Sequence, residues 1–474
     1  MAFVSSRAVR GRVMMNAMRL LAAAVVVVVV SAAVTFFVTG RAAGPIVTII
    51  QPTSTIGRDT SLEATIESPG GRLASLQVSI EQGGKTTPLF DLASPTGAAV
   101  QQDSADRIRL TRPIGNRALP SLQEGAARLV ITASRPVAFG LRRVSTTARV
   151  DLRAHFTPPR VSVVSTHHFV NHGGAELVIY RVTPPESTSG VRVGNAAFGG
   201  FPASGLGVTS ADPSLKAAFF ALLHDQDLAT PIEIVARDDA GNEGRAALEA
   251  RVFPRVFRKG SIDVSDAFLA QTVPDIAMHT PELGPVPAAP DELLTAFLAA
   301  NRSLRQANAD RIQSLVAQSA DRATWDGPFV QLGNSKVESG FADRRTYFYR
   351  GREIDRQVHL GFDLAVTAKV PVAAGNTGKV VFADYLGIYG NTVILDHGMG
   401  VQSLYAHLSS ISVKVGDTVI KGAELGRSGS TGLAGGDHLH FAVLVGGYPV
   451  SPVEWWDAHW IEDRITRKVR EASQ

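Results

Sequence analysis

His438 and His440 stand one residue apart in Gly435-Gly436-Asp437-His438-Leu439-His440-Phe441. On a strand that spacing turns both imidazoles to one face. Leu439, Phe441, Val443 and Val445 alternate as a strand does. Two imidazoles side by side fill a core poorly. They suit a site where one nitrogen holds a metal and its neighbour handles a proton. The pair has company in His359-Leu360-Gly361-Phe362-Asp363 upstream and Tyr405-Ala406-His407-Leu408 between. A catalytic zinc takes three His or carboxylate ligands and leaves a fourth position for water. His359, Asp363 and His440 fill that quota with one net negative charge. His407 and His438 remain to take the water's proton and to steady an oxyanion or leaving amine. Spacing alone also admits scattered surface and core histidines, because half of the 12 His lie beyond residue 350.

The surrounding segments narrow the choice. They are HLGFDLAV, VPVAAGNTGKVVFA, YGNTVILDHG, SLYAHLSSISVKVGDTVIKGAELGRSGSTG, GGDHLHFAV and YPVSP. From His359 to Pro452 the chain resembles the M23 (lysostaphin/LytM-like) zinc metallopeptidases along the whole run. Ser339-Gly340-Phe341-Ala342-Asp343-Arg344-Arg345 looks like that family's opening strand and turn. Ala342 stands where glycine is usual, a departure expected to be harmless. The resemblance implies zinc on His359, Asp363 and His440, with His407 and His438 as the catalytic histidines. It also implies an antiparallel β-sheet with the site in a groove, and peptide bonds of peptidoglycan as the substrate. The set is complete, unlike that of degenerate members that activate other wall hydrolases. His397, in Asp396-His397-Gly398, is expected at a strand end or turn and not at the metal. His155, His167, His168, His172, His224, His279 and His459 have no ligand-like company and read as solvated or hydrogen-bonded side chains.

These residues need elements to hold them. The chain has 474 residues, 45% hydrophobic and 19% charged, which describes folded protein in two to four domains. A net charge of +4, without a long basic run, does not suggest nucleic acid. Cysteine is absent, which excludes disulfides and thiolate metal sites. Arg7, Arg10, Arg12 and Arg19 precede an apolar run from Leu20, and no acidic residue occurs before Asp59. The expectation is a cytoplasmic N-terminus over 1–19 and a transmembrane helix over 20–39, uncleaved, in an inner membrane. The remainder is then periplasmic.

Short alternating or β-branched runs separated by turn residues follow, and predict two Ig-like β-sandwich modules over 45–157 and 158–256. Ala217–Ala221 is among the strands of the second. Prolines at 274, 281, 285, 287 and 290 mark a linker over 257–324. Within it Asp291 can cap an amphipathic helix running to Ser319, with Leu293, Phe297, Leu304, Ile312 and Leu315 as its stripe. That stripe could pack on a neighbouring domain, or the helix could lie over the metal cleft. The peptidase-like domain takes 325–462 and a C-terminal tail 463–474. The predicted fold is thus mainly β. The predicted function is a zinc metalloendopeptidase cutting peptidoglycan cross-links, the D-Ala to meso-diaminopimelate bond first among them. A non-catalytic regulator of wall hydrolases is the first alternative. A membrane-anchored adaptor is the second, since Val-x-x-Gly-Asp-x-Val-x-x-Gly patterns also occur in lipoyl-type and efflux-adaptor domains. An adaptor predicts no zinc ligands, and long coiled-coil hairpins that this sequence lacks.

Overall fold

The computed structural model describes residues 5–474 except 41, 69–71, 138–139 and 288. Helix α1 runs Ser5–Gly40, and its side chains are described at 15, 18–34, 36 and 37. Among the described residues no helix is long and apolar enough to cross a membrane. Positions 1–4 of the expected cytoplasmic segment, and the side chains at 35, 38 and 39 of the expected span, lie outside the described residues.

The chain divides into two compact units, Met1–Thr157 with Asp239–Asn242, and Pro158–Asp238 with Glu243–Gln474. In the first, Ile46–Gln51, Ser61–Glu67, Arg107–Pro113 and Ala99–Ser104 lie side by side in one sheet. Thr55–Ile56, Arg142–Ala154, Gly125–Val137, Ser75–Gln82 and Lys85–Asp91 form the other. Alternation decides which side chains go inside. Leu62, Ala64 and Ile66 are buried from one sheet and Leu76, Val78 and Ile80 from the other, in one core. The strand order establishes a two-sheet sandwich and not the more specific Ig-like topology expected.

The second unit begins with another pair of four-stranded sheets. Ala175–Thr183 and Leu215–Ala221 are central strands of one, and both are almost continuously apolar and buried. Their core continues without a break into the C-terminal region. Tyr180, Phe219 and Phe220 share one cluster with Tyr405, Phe441 and Trp455. The Phe219 and Trp455 rings lie 5.7 Å apart. Residues 463–474, expected as a tail, are packed. Lys468 Nζ donates to Glu176 Oε1 at 2.8 Å, with the two side chains 2% and 0% exposed. Glu454 accepts from Asn171 Nδ2 and Ala175 N, each at 2.7 Å. Burial pushes its pKa up to about 7.

The expected linker holds more structure than its prolines suggested. Strand β1, Lys259–Val264, leads into helix α2, Asp266–His279. Ser265 caps α2 by accepting from Phe268 N, and Pro274 lies inside the helix and does not end it. Helix α3, Pro290–Ala299, starts on Pro290 with Ala289 as its cap, so Asp291 sits in the first turn and is not the cap. A π-turn over Ala300–Leu304 separates α3 from α4, Arg305–Leu315. The extra residue of such a turn rotates the apolar stripe. Leu293 and Phe297 therefore pack with Val264, Leu269, Val273 and Tyr347. Ile312 and Leu315 pack instead with Ile394, Leu404 and Leu444 on the sheet beyond. The stripe is thus spent on neighbouring elements and does not cover the groove described below.

Four further strands and one partner carry the site. β2, Asp343–Tyr349, and β3, Arg352–His359, form a hairpin. β1, from the expected linker, pairs with β2 in parallel, while the strands within 325–462 pair antiparallel as expected. β4, Phe362–Ala365, pairs with β6, His438–Val445, and β6 pairs with β5, Val401–Leu408. β4, β5 and β6 belong to an eight-stranded sheet.

Candidate metal centre

Register brings the three expected ligands together. His359 ends β3, Asp363 lies opposite His440 across β4 and β6, and Ala365 lies opposite His438. His359 Nε2 is 2.9 Å from Asp363 Oδ1 and 3.0 Å from His440 Nδ1. His440 Nδ1 is 3.0 Å from the same carboxylate oxygen. The three donor atoms form a nearly equilateral triangle. Its edges are slightly shorter than the ~3.3 Å that tetrahedral bonds of 2.0–2.1 Å would give.

The hydrogen bonding says what this triangle suits. His359 Nδ1 is 2.9 Å from Gly340 O, and a carbonyl only accepts, so that nitrogen carries the proton. In the neutral ring Nε2 then holds a lone pair, aimed at a carboxylate and at another imidazole nitrogen. Lone pairs do not bond each other, so this arrangement asks for a cation between them. Outer carbonyls that fix a ligand's tautomer are a regular feature of metal sites. Asp363 Oδ2 is likewise held from outside by Arg345 Nη2 at 2.8 Å. His359, Asp363 and His440 are the His, Asp and Glu cluster that could hold a metal among the described residues. The donor set, the burial of both histidines and the fixed tautomer fit zinc.

His407 and His438 flank the triangle. Their ring centroids lie 4.8 Å apart, and His407 lies 5.8 Å from His440. His438 Nε2 is 3.5 Å from Asp363 Oδ1. His407 Nδ1 faces Thr431 O at 2.8 Å and His438 Nδ1 faces Gly436 O at 2.8 Å. By the same argument Nδ1 of each ring carries a proton, which leaves the His407 Nε2 lone pair free for other work, while His438 Nε2 faces the Asp363 carboxylate. His407 has a left-handed backbone, φ 61°, which an ordinary residue adopts at a cost. Burial pushes His440 down to about 4 and His407 well below the usual imidazole range. Burial also lowers His438, but the Asp363 carboxylate outweighs it and leaves the net shift upward. Burial raises Asp363, and its three histidine neighbours more than reverse that.

The site opens into a groove of about 690 Å³. Its lining includes Ile262 of β1, Phe268 of α2, Arg305 of α4 and Tyr389. The Tyr389 ring tilts against His440 at 5.5 Å. Neither Arg345 nor Tyr389 stood out in the sequence as a site residue. Both lie in segments already singled out, and the period-2 pattern of β2 puts Asp343, Arg345 and Tyr347 on one face. Ala342 also has a left-handed φ of 61°, where glycine would be free of strain, and its N donates to His359 O at 2.7 Å. His397 is far from this chemistry in role. It is fully buried, bonded to Thr377 O and Ser403 Oγ at 2.7 Å each, just after the strand ending at Asp396.

Residues 357–452 match the profile of Peptidase family M23. This C-terminal region is an M23 peptidase domain. Over 98 residues the chain is 42% identical to the DD-carboxypeptidase/endopeptidase Mpg of Neisseria meningitidis, covering 20% of this chain and 22% of that protein. Over 161 residues it is 30% identical to the peptidoglycan DD-endopeptidase ShyA of Vibrio cholerae, covering 34% of each. The chain therefore spans between a fifth and about a third of the length of these relatives. A solved M23 peptidase from Pseudomonas aeruginosa covers 61% of this chain and 94% of its own, at 20% identity and a TM-score of 0.35. A superposition that loose carries no argument. The likeness is thus to a metallopeptidase-type domain, and both relatives are named as endopeptidases.

Proposed function

We propose that this chain is a zinc endopeptidase that hydrolyses peptide cross-links in peptidoglycan. The observation that carries the proposal is the triangle of His359, Asp363 and His440, with the imidazoles of His407 and His438 beside it. Zinc there supplies a water acidified towards neutrality and a Lewis acid for the scissile carbonyl. His407 Nε2, neutral and fixed in tautomer by Thr431 O, can accept a proton. His438 lies next to the carboxylate, which favours its charged form, and so suits donation to the leaving amine. Arg345 and Gly340 hold the ligands in place.

The bond is D-Ala to meso-diaminopimelate, a reading supported by relatives named as DD-endopeptidases. Zinc-loaded full-length protein is expected to cut the cross-links of purified sacculi, read as more monomeric and fewer dimeric muropeptides after a later muramidase digest, and a chelator should abolish the change. Cross-links left intact by protein shown to contain zinc would sink the assignment.

The same reading places the M23 domain in the periplasm, attached to the inner membrane through α1. In its support, four arginines precede the apolar run, and Leu20, Leu21 and Val25–Val30 are all exposed on the helix. Protease added to spheroplasts should digest the catalytic region and spare a tag at Met1. Protection of the C-terminus would refute this placement.

A further inference from the structure

The helices α2–α4 lie outside the M23 match, yet they hold the loop Gly429–Asp437 that runs into His438. Asp275 Oδ2, on α2, accepts from Gly432 N at 3.2 Å and from the Tyr385 phenol at 2.8 Å. Leu433 packs beside Ile276, Ala300 and Ile388. Leu433 N donates to Ile388 O at 2.8 Å. Ile388 N in turn donates to the buried Asn308 Oδ1 of α4 at 3.0 Å. The loop and the Gly387–Tyr389 turn are thus tied to each other and to the helices. Gly432 has a φ of 71° and no room for a side chain, because a Cβ there would meet Gly390 N at 2.4 Å.

The residue before Gly432 is Thr431, whose carbonyl fixes the His407 tautomer. A peptide group is planar and rigid. Holding the Gly432 amide therefore also holds the carbonyl of Thr431, which belongs to the same peptide group. We infer that the α2–α4 segment is a built-in positioning element of the active site, acting on His407 through Asp275 and the Thr431–Gly432 peptide. The segment is then neither a spacer nor a restraint: removing its grip lowers turnover. Asp275 touches no reacting atom and is a positioning residue. This inference rests on His407 as the proton-handling group, but its first readout needs no substrate.

The test uses zinc-loaded full-length protein, with Asp275→Ala and Leu433→Ala as independent ways to loosen the grip. Asp275 is partly exposed, so its loss spares the core. Amide hydrogen exchange at Gly432 and Leu433 should quicken about fivefold or more, as for loss of one local tether. Zinc stoichiometry should be unchanged. On sacculi, kcat should fall with KM little altered. Unchanged exchange in both folded variants overturns the inference, because the loop then holds itself. Faster exchange with unchanged kcat overturns it too. If wild-type protein cuts no cross-links, the proposed activity fails, and the exchange result still judges the grip.

Discussion

His440→Ala should empty the metal site and abolish turnover. His440 Nδ1 is one corner of a triangle whose other corners are a single imidazole and a single carboxylate oxygen. Alanine leaves two donors, too few for a zinc site that also keeps a position for water. The side chain is 4% exposed and enclosed by β4 and β5, and the neighbouring His407 and His438 are each held through Nδ1 by a backbone carbonyl. The loss should be read as zinc per chain by elemental analysis after dialysis, with circular dichroism to check that the sheet remains. Metal content equal to wild type in a folded variant would refute the ligand assignment.

His407→Ala and His438→Ala should behave in the opposite way. Both should keep zinc, because neither residue forms an edge of the donor triangle. Both should lose turnover by about 100-fold or more, the scale expected when a positioned acid or base is removed. The two variants should also differ from each other. His407 is neutral through burial, so its loss removes a base at every working pH. His438 is raised by the Asp363 carboxylate, so its charged form dominates at low pH, and its loss should flatten the alkaline limb of the profile. Stoichiometric loss of metal in either variant would reassign the roles. Full activity in both would end the mechanism.

What the sequence made legible follows from the range of the forces involved. The His-x-His pair sits on a strand whose alternation is local, and period 2 alone places both rings on one face. The sandwich strands of the first unit were readable for the same reason. Strand β1 was not. Lys259–Val264 has little alternation of its own and becomes a strand by pairing with Arg344–Tyr349, far along the chain. Helix α2 was hidden by Pro274, which usually ends helices but is tolerated here. The single stripe read across α3 and α4 is really two, because the π-turn at Ala300–Leu304 rotates one against the other. Arg345 had only its place on the face of β2 to mark it, and Asp275 had no signal, since each depends on a partner brought near by tertiary packing.

The core common to Phe219 and Trp455 limits how this protein could be recombined. A graft that took residues 357–452 alone would leave behind Trp455 and the buried Glu454, which is bonded to Asn171 and Ala175. A donor lacking the end of this chain would leave Glu176 sealed in the interior with no ammonium beside it. An unmatched buried carboxylate of that kind typically costs about 3–5 kcal/mol. The exchangeable cassette is therefore not the stretch that sequence kinship outlines. It begins near Pro158 and ends at the last helix, and any chimera of this chain has to move both parts together.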